Sequence, residues 1–147
     1  MRPIQLIFFG LIMYVATPAL AASTDPVLGE RALREECSAF PQAEMHVCLA
    51  QKAESSEKAL RQAEDEVARL LSKWDEDKQY VNQAKEKLAT SNKNFSNYRD
   101  SQCQFLASLS GGGAGNAHEI RRLACIAELN NRRTQQLRDA VSDLPLQ

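Results

Sequence analysis

Glycine, proline and aromatic residues are all scarce in this 147-residue chain, which has six glycines, five prolines and 6% aromatic side chains. Neither glycine nor proline occurs between Pro41 and Gly111. This composition is poor for a sandwich, a barrel or a collagen-like chain, and it suits long helices. The length is enough for one domain of modest size and hardly for two.

An excess of charge of one sign is also lacking. The chain has 18 Lys and Arg residues against 19 Asp and Glu residues, a formal net charge of −1. A nucleic-acid-binding domain shows a basic excess. We therefore expect no nucleic-acid partner.

Residues that build catalytic or metal sites are few and scattered. His46 and His118 are the only histidines, and neither a C-x-x-C pair, a G-x-S-x-G motif nor a phosphate-binding loop is present. Structural zinc sites need closely spaced Cys and His ligands, and covalent catalysis needs a nucleophile beside a base. We expect no enzyme activity, no cofactor and no metal.

Residues 1–21 have the layout of a secretory signal peptide. Arg2 gives a positively charged start, Ile4–Val15 is an apolar run of twelve residues, and Thr17–Ala21 supplies a proline and small residues at the A-x-A spacing. The run is shorter than the roughly 20 apolar residues that cross a bilayer. We predict cleavage after Ala21, export to the periplasm or the medium, and no membrane span in the mature chain.

Apolar residues recur at steps of three and four in three successive stretches. This is the pattern of helices packed nearly parallel or antiparallel, and no stretch favours a strand. The predicted core positions are Met45, Leu49, Ser56, Leu60, Ala63, Val67, Leu70 and Trp74 in the first stretch, Val81, Ala84, Leu88, Phe95, Tyr98, Phe105 and Leu109 in the second, and Ile120, Leu123, Ala127, Thr134, Leu137 and Val141 in the third.

The first two stretches have a plausible turn between them. One continuous helix from Pro41 to Leu109 would be about 100 Å long and would leave its apolar stripe exposed unless it dimerised. In Trp74–Lys78 an aspartate falls on a core position, and aspartate is a poor helix former and a good cap. We therefore prefer an antiparallel hairpin that folds back at this turn over the continuous helix.

Ser110–Asn116 contains four glycines and is the clearest loop in the chain. It lets a last helix, roughly Ala117–Val141, turn back along the hairpin. Pro26–Cys37 is predicted to form a short helix that stops near Pro41. The predicted fold is thus all-α, a small antiparallel bundle made of a long helical hairpin, a C-terminal helix and a short N-terminal helix.

The four cysteines are Cys37, Cys48, Cys103 and Cys125. An even number in an exported chain is most simply two disulfides, and the bundle brings all four cysteines to one end. Pairing Cys37 with Cys48 and Cys103 with Cys125 is the most local solution, and the other two pairings stay open. Each bridge would stabilise the fold by about 2–4 kcal/mol by restricting the unfolded chain.

Three cysteine-containing segments carry distinctive residue patterns. Cys37–Cys48 holds a Gln-x-Glu-Met helix start between two cysteines, Leu88–Cys103 contains an aromatic-Arg-Asp triplet before its cysteine, and Cys125–Leu137 closes with Asn, Arg and Leu. Together they resemble the lysozyme inhibitor LprI-like N-terminal domain family over about residues 35–137. We accordingly divide the chain into a signal peptide (1–21), an N-terminal segment (22–34), an LprI-like helical domain (35–141) and a tail (142–147).

Three residues depart from the family's pattern. Asn92 replaces a glutamine, Phe95 replaces a tryptophan and Asn130 replaces a threonine. The triplet Tyr98–Asp100 before Cys103 carries most of the resemblance.

The residues that the resemblance marks as the family motif, called here the motif residues, are Phe95, Tyr98, Arg99, Asp100 and Arg133. We expect the two aromatic side chains in the core rather than stacked on a ligand. Arg99 and Asp100 could orient a contact surface or pair with Arg133 and Glu128. A structural ion pair beside the cystines is the interpretation that we favour.

The resemblance implies a protein partner, lysozyme, whose cleft holds two catalytic carboxylates. A blocking protein would present hydrogen-bond donors or a cation to them. The candidates, in and after the glycine-rich loop, are Ser110, Asn116, His118, Arg121 and Arg122. A Cys103–Cys125 bridge would stiffen the base of this loop and reduce the entropy lost on binding. The alternatives are a flexible connector for the loop, and a cell-envelope structural or adaptor module for the whole domain.

Overall fold

The computed structural model describes residues 27–112 and 115–147, and the predicted signal peptide lies outside these residues. Within the described residues the chain forms the helices α1 (Glu30–Cys37), α2 (Gln42–Leu71), α3 (Lys78–Ser108) and α4 (Ala117–Ala140), and no strand. The all-α class and the order of a short helix, a hairpin and a last helix are confirmed. None of the helices in the described part of the chain is long and apolar enough to span a bilayer.

The predicted turn between the two arms of the hairpin is confirmed. α2 ends at Leu71 and α3 begins at Lys78, so the 41–109 region is two helices rather than one. Asp77 occupies the N-cap position of α3, although its side chain makes no capping hydrogen bond. The C-terminal residues fold back onto this turn, where the backbone N–H of Gln147 donates to the Lys73 carbonyl over 2.9 Å.

α4 lies against both arms of the hairpin, and α2 and α3 each pack more extensively on α4 than on each other. Asn130 contacts Ser56 and Leu137 packs with Val67, so α4 runs parallel to α2. Cys125 is bonded to Cys103 and Asn130 to Arg99, so α4 runs antiparallel to α3. The connection through the glycine-rich loop therefore places the last helix as the shared support of the two long helices.

The apolar core is divided into two clusters along α2 and α4. The first, nearer the cystines, consists of Leu33, Cys37, Leu49, Ala53, Ile120, Leu123, Ala124 and Ala127. The second consists of Leu60, Ala63, Val67, Leu71 and Leu137, with Trp74, Leu88 and Phe95 partly buried against it. Most core positions that the periodicity predicts in α2 and α4 are buried.

A buried polar contact separates the two clusters. Asn130 is 0% exposed, and its amide nitrogen donates to the Ser56 hydroxyl over 3.1 Å. Its side-chain oxygen accepts a hydrogen bond from Arg99 Nη1 over 3.2 Å. Because these residues belong to α4, α2 and α3, this contact, called here the Asn130 junction, fixes the relative register of the three long helices.

Three predicted core positions near the end of α3 are wrong. Tyr98, Phe105 and Leu109 are 54–56% exposed, whereas the buried residues of α3 are Cys103 and Ala107. Phe95, also predicted in the core, is partly buried against it. Steps of three and four that alternate regularly imply a contact line nearly parallel to the helix axis. In the structure the contacts with α4 pass through Phe95, Arg99 and Cys103, in steps of four, and such a row is inclined to the axis.

Both disulfides follow the most local of the three possible pairings. Cys37 is bonded to Cys48, with 5.9 Å between their Cα atoms, and Cys103 to Cys125, with 5.5 Å. The first bridge joins α1 to α2, and the second joins α3 to α4. Two such bridges are typical of proteins in oxidising compartments.

Replacement of both Cys103 and Cys125 by Ser should lower the free energy of unfolding by about 3 kcal/mol, because the bridge closes a loop with a sequence separation of 22 residues. Amide hydrogen exchange should accelerate along α3 before it does along α2, since α3 has little buried apolar surface to replace the bond.

The matched control replaces Cys37 and Cys48 by Ser, which removes a bridge that α3 does not share. Exchange along α3 should then stay close to that of the parent protein. If the Cys103/Cys125 variant kept the exchange protection of α3, the importance of this bridge for α3 would be disproved.

Candidate protein-binding site

The predicted contact residues lie at the end of the bundle where both disulfides are found. This end, called here the cystine end, comprises α1, the first turns of α2, the last turn of α3, residues 109–112 and 115–116, and the first two turns of α4. A groove of about 380 Å³ crosses it. Its lining comes from α1, α2, α4 and the residues that follow α3, and includes Arg34, Gln42, Met45, Leu109, Ser110, Ile120 and Arg121.

Two contacts across the glycine-rich loop hold its described ends together. His118 Nε2 donates to the Gly111 carbonyl over 3.0 Å, and the Ser110 hydroxyl lies 3.5 Å from the Ala117 carbonyl. Gly111 and Gly115 have φ values of +59° and +73°, a left-handed conformation that glycine adopts without strain. Ser110 and His118 therefore stabilise the loop conformation through these contacts. His118 is nevertheless exposed to solvent.

Arg121 and Arg122 differ in how they are paired. Arg122 Nε donates to Glu119 over 2.8 Å. This hydrogen bond lowers the pKa of Glu119 and raises the pKa of Arg122. Arg121 lines the groove, and its Nε lies 4.0 Å from a Glu30 oxygen that is also 3.1 Å from Arg34. Arg121 is thus the more weakly paired of these two predicted cations.

The remaining loop candidate is Asn116. It occupies the N-cap position of α4, its side chain makes no capping hydrogen bond, and it is exposed. Ser110, Asn116, His118 and Arg121 are therefore grouped around the loop and its groove, while Arg122 is engaged with its neighbour on α4.

Large exposed apolar residues at the cystine end were missed by the sequence reasoning. Phe40, in the turn before α2, is 49% exposed, and Leu109, in the groove, is 56% exposed. Leu109 had been assigned to the core by its spacing, and Phe40 lies outside any helical repeat. Aromatic side chains and arginine are common anchors of protein–protein interfaces, and leucine is a less common one.

Among the motif residues, Arg99 and Asp100 do not pair with Arg133 and Glu128 in the described residues, which was the alternative to a structural ion pair. Arg99 Nε donates to the neighbouring Asp100 over 3.0 Å, and the same guanidinium reaches the Asn130 junction. Glu128 instead accepts from Arg132 over 2.7 Å. Arg99 and Asp100 still form an ion pair with each other, in which Arg99 is largely buried and Asp100 is about half exposed.

Arg133 is held at a second point between α3 and α4. Its Nη2 donates to Ser91 over 2.8 Å and to Asn92 over 3.2 Å, and its guanidinium carbon lies 5.7 Å from the centre of the Phe95 ring. Asn92, Phe95 and Asn130, the three residues that depart from the family's pattern, are thus the contacts of the two motif arginines.

Glu64 on α2 faces the same region. Burial raises the pKa of Glu64, and the positive charges of Arg133 and Arg99 oppose this shift. The arginines between α3 and α4 therefore also attract the acidic face of α2, without a direct ion pair to Glu64 in the described residues.

The Asn130→Ala variant should lose about 2 kcal/mol of stability, because the Arg99 guanidinium loses a buried acceptor and a cavity opens between the two apolar clusters. Chemical denaturation measures this loss. Asn94→Ala, an asparagine on the exposed face of α3, is the control and should change stability by less than about 0.5 kcal/mol. Equal stabilities of the two variants would contradict the structural role of the Asn130 junction.

Among known proteins, the chain matches a family model. No curated protein and no solved structure gives a significant match. The family model described as lysozyme inhibitor LprI matches residues 35–137, which include α2, α3, both disulfides and all five motif residues. The chain therefore belongs to the lysozyme inhibitor LprI family.

Proposed function

We propose that this protein inhibits lysozyme, in the periplasm or outside the cell, by inserting its cystine end into the active-site cleft of the enzyme. It acts by binding, and it has no catalytic activity of its own. Family membership supports the partner. The two disulfides support an oxidising compartment outside the cytoplasm.

The observation that carries the proposal is the combination of rigidity and exposed anchors at one end of the bundle. The Cys37–Cys48 and Cys103–Cys125 bridges brace the helices on both sides of the groove. Phe40 and Leu109 are exposed at this braced end. A surface that is ordered before binding loses less conformational entropy when it meets its partner.

One cation at this end, Arg121, suits the cleft of a glycosidase. Two carboxylates flank the scissile bond in such enzymes. Arg121 lines the groove and is held only loosely by Glu30, at 4.0 Å. In the complex Arg121 exchanges this contact for a carboxylate of the enzyme, while Asn116 offers an amide donor from the loop. The apolar anchors then cover the cleft and exclude water from the ion pair.

The test follows the lysis of a cell-wall suspension by lysozyme in the presence of the oxidised protein. The parent protein should slow lysis in proportion to its concentration. The triple variant His118→Ala/Arg121→Ala/Arg122→Ala should raise the concentration needed for half inhibition by about tenfold or more, with unchanged helicity by circular dichroism.

The control variant is Arg61→Ala/Arg69→Ala, which removes the same number of arginines from the exposed face of α2. It should inhibit like the parent protein. No slowing of lysis at a large molar excess of parent protein would disprove inhibition. Inhibition by the triple variant equal to that of the parent would disprove the contact through the cystine end.

A further inference from the structure

A second concave surface lies on the flank of the bundle, between α3 and α4. This surface, called here the flank cleft, has a volume of about 520 Å³. Small-molecule sites in proteins span roughly 300–1,000 Å³. The Cys103–Cys125 bridge lies along the cleft, and the hydrogen bonds of Arg133 to Ser91 and Asn92 tie the two helices together further along. The cleft is therefore formed before any ligand binds.

The α3 wall of the flank cleft carries an aromatic side chain that the core does not use. Tyr98 lines the cleft and is 54% exposed. Apart from the hydrogen bonds of the helix backbone, Tyr98 makes one, in which its carbonyl accepts from the Ser101 hydroxyl, so its own hydroxyl has no partner among the described residues. Leu106 and Gln102 belong to the same wall, and Leu129 faces them from α4. An exposed ring beside aliphatic side chains gives a flat apolar platform with an amide at its edge.

The α4 wall carries polar side chains at steps of four residues. Glu128, Arg132 and Gln136 follow one another along the rim, so they lie in one row on the helix surface. Arg133 also lines the cleft, and its Nε is buried without a hydrogen-bond partner. Buried nitrogen atoms of this kind are rare, because the lost hydration is not replaced. The cleft thus offers donors and acceptors opposite an aromatic platform.

We propose that the flank cleft binds a saccharide built of N-acetylated pyranose units. The C–H face of a pyranose ring carries partial positive charge and stacks on the negative face of an aromatic ring such as Tyr98. Its hydroxyl groups both donate and accept, as do the amides of Gln102 and Gln136. An acetamido group combines an amide with a methyl group. The amide can hydrogen-bond to a glutamine side chain, and the methyl group can pack on Leu106 and Leu129. This site is separate from the groove at the cystine end, with which it shares no lining residue, and it does not depend on lysozyme inhibition.

The probe is the hexasaccharide of N-acetylglucosamine, titrated into the full oxidised protein in the absence of lysozyme and followed by calorimetry or by NMR. Binding is expected for the parent protein. Tyr98→Ala should weaken it by about tenfold or more, and Tyr98→Phe should retain it to within about threefold, because the ring rather than the hydroxyl makes the contact. Gln136→Ala should also weaken binding.

The matched control is Tyr80→Ala, which removes an equally exposed tyrosine from the same helix but outside the cleft. It should bind like the parent protein. A second control replaces the probe by maltohexaose, which lacks acetamido groups and should bind at least about tenfold more weakly. The proposal is overturned if the hexasaccharide does not bind at millimolar concentration, if Tyr98→Ala binds like the parent, or if maltohexaose binds equally well.

Discussion

The bond between Cys103 and Cys125 is the constraint on which the rest of the bundle depends. α3 is 31 residues long, yet its buried residues are only Cys103 and Ala107. Burial of apolar surface therefore contributes little to holding α3 in place. The disulfide fixes one end of the helix against α4, and the contacts of Arg99 and Arg133 fix its middle. A helix with so little core can in this way keep a defined position.

The same constraint gives the molecule two distinct exposed surfaces. Beyond the Cys103–Cys125 bond, the chain turns through the glycine-rich loop and forms the cystine end with its groove. On the side of the bond away from the loop, the flank cleft lies between α3 and α4, and Cys125 lines it. Because α3 meets α4 along an inclined row, its aromatic flank remains exposed. The exposed residues Tyr98, Phe105 and Leu109 are consequences of how the helix packs.

Much of the fold could be predicted from the sequence, because local signals determine it. The absence of glycine and proline between Pro41 and Gly111 defined the long helices. Aspartates near Trp74 marked the turn, and four glycines after Ser110 marked the loop. An even number of cysteines in a helical chain pointed to two bridges at one end, and the most local pairing is the one formed.

The features that escaped prediction are those set by tertiary packing. Periodicity alone does not give the angle at which α3 crosses α4, so Tyr98 and Leu109 were assigned to the core. The sequence alone does not show whether an asparagine is buried or exposed. The Asn130 junction also depends on Ser56, which lies 74 positions away in sequence. The partners of Arg99 and Arg133 likewise depend on side-chain directions that spacing does not fix.

The most direct test of the account is amide hydrogen exchange of the oxidised protein, measured by mass spectrometry with and without lysozyme. If the cystine end enters the enzyme's cleft, exchange should slow in segments 38–46 and 109–122 and stay unchanged in the turn 72–78 and the tail 142–147. Slowing confined to the turn and tail, with the cystine end unaffected, would contradict the account.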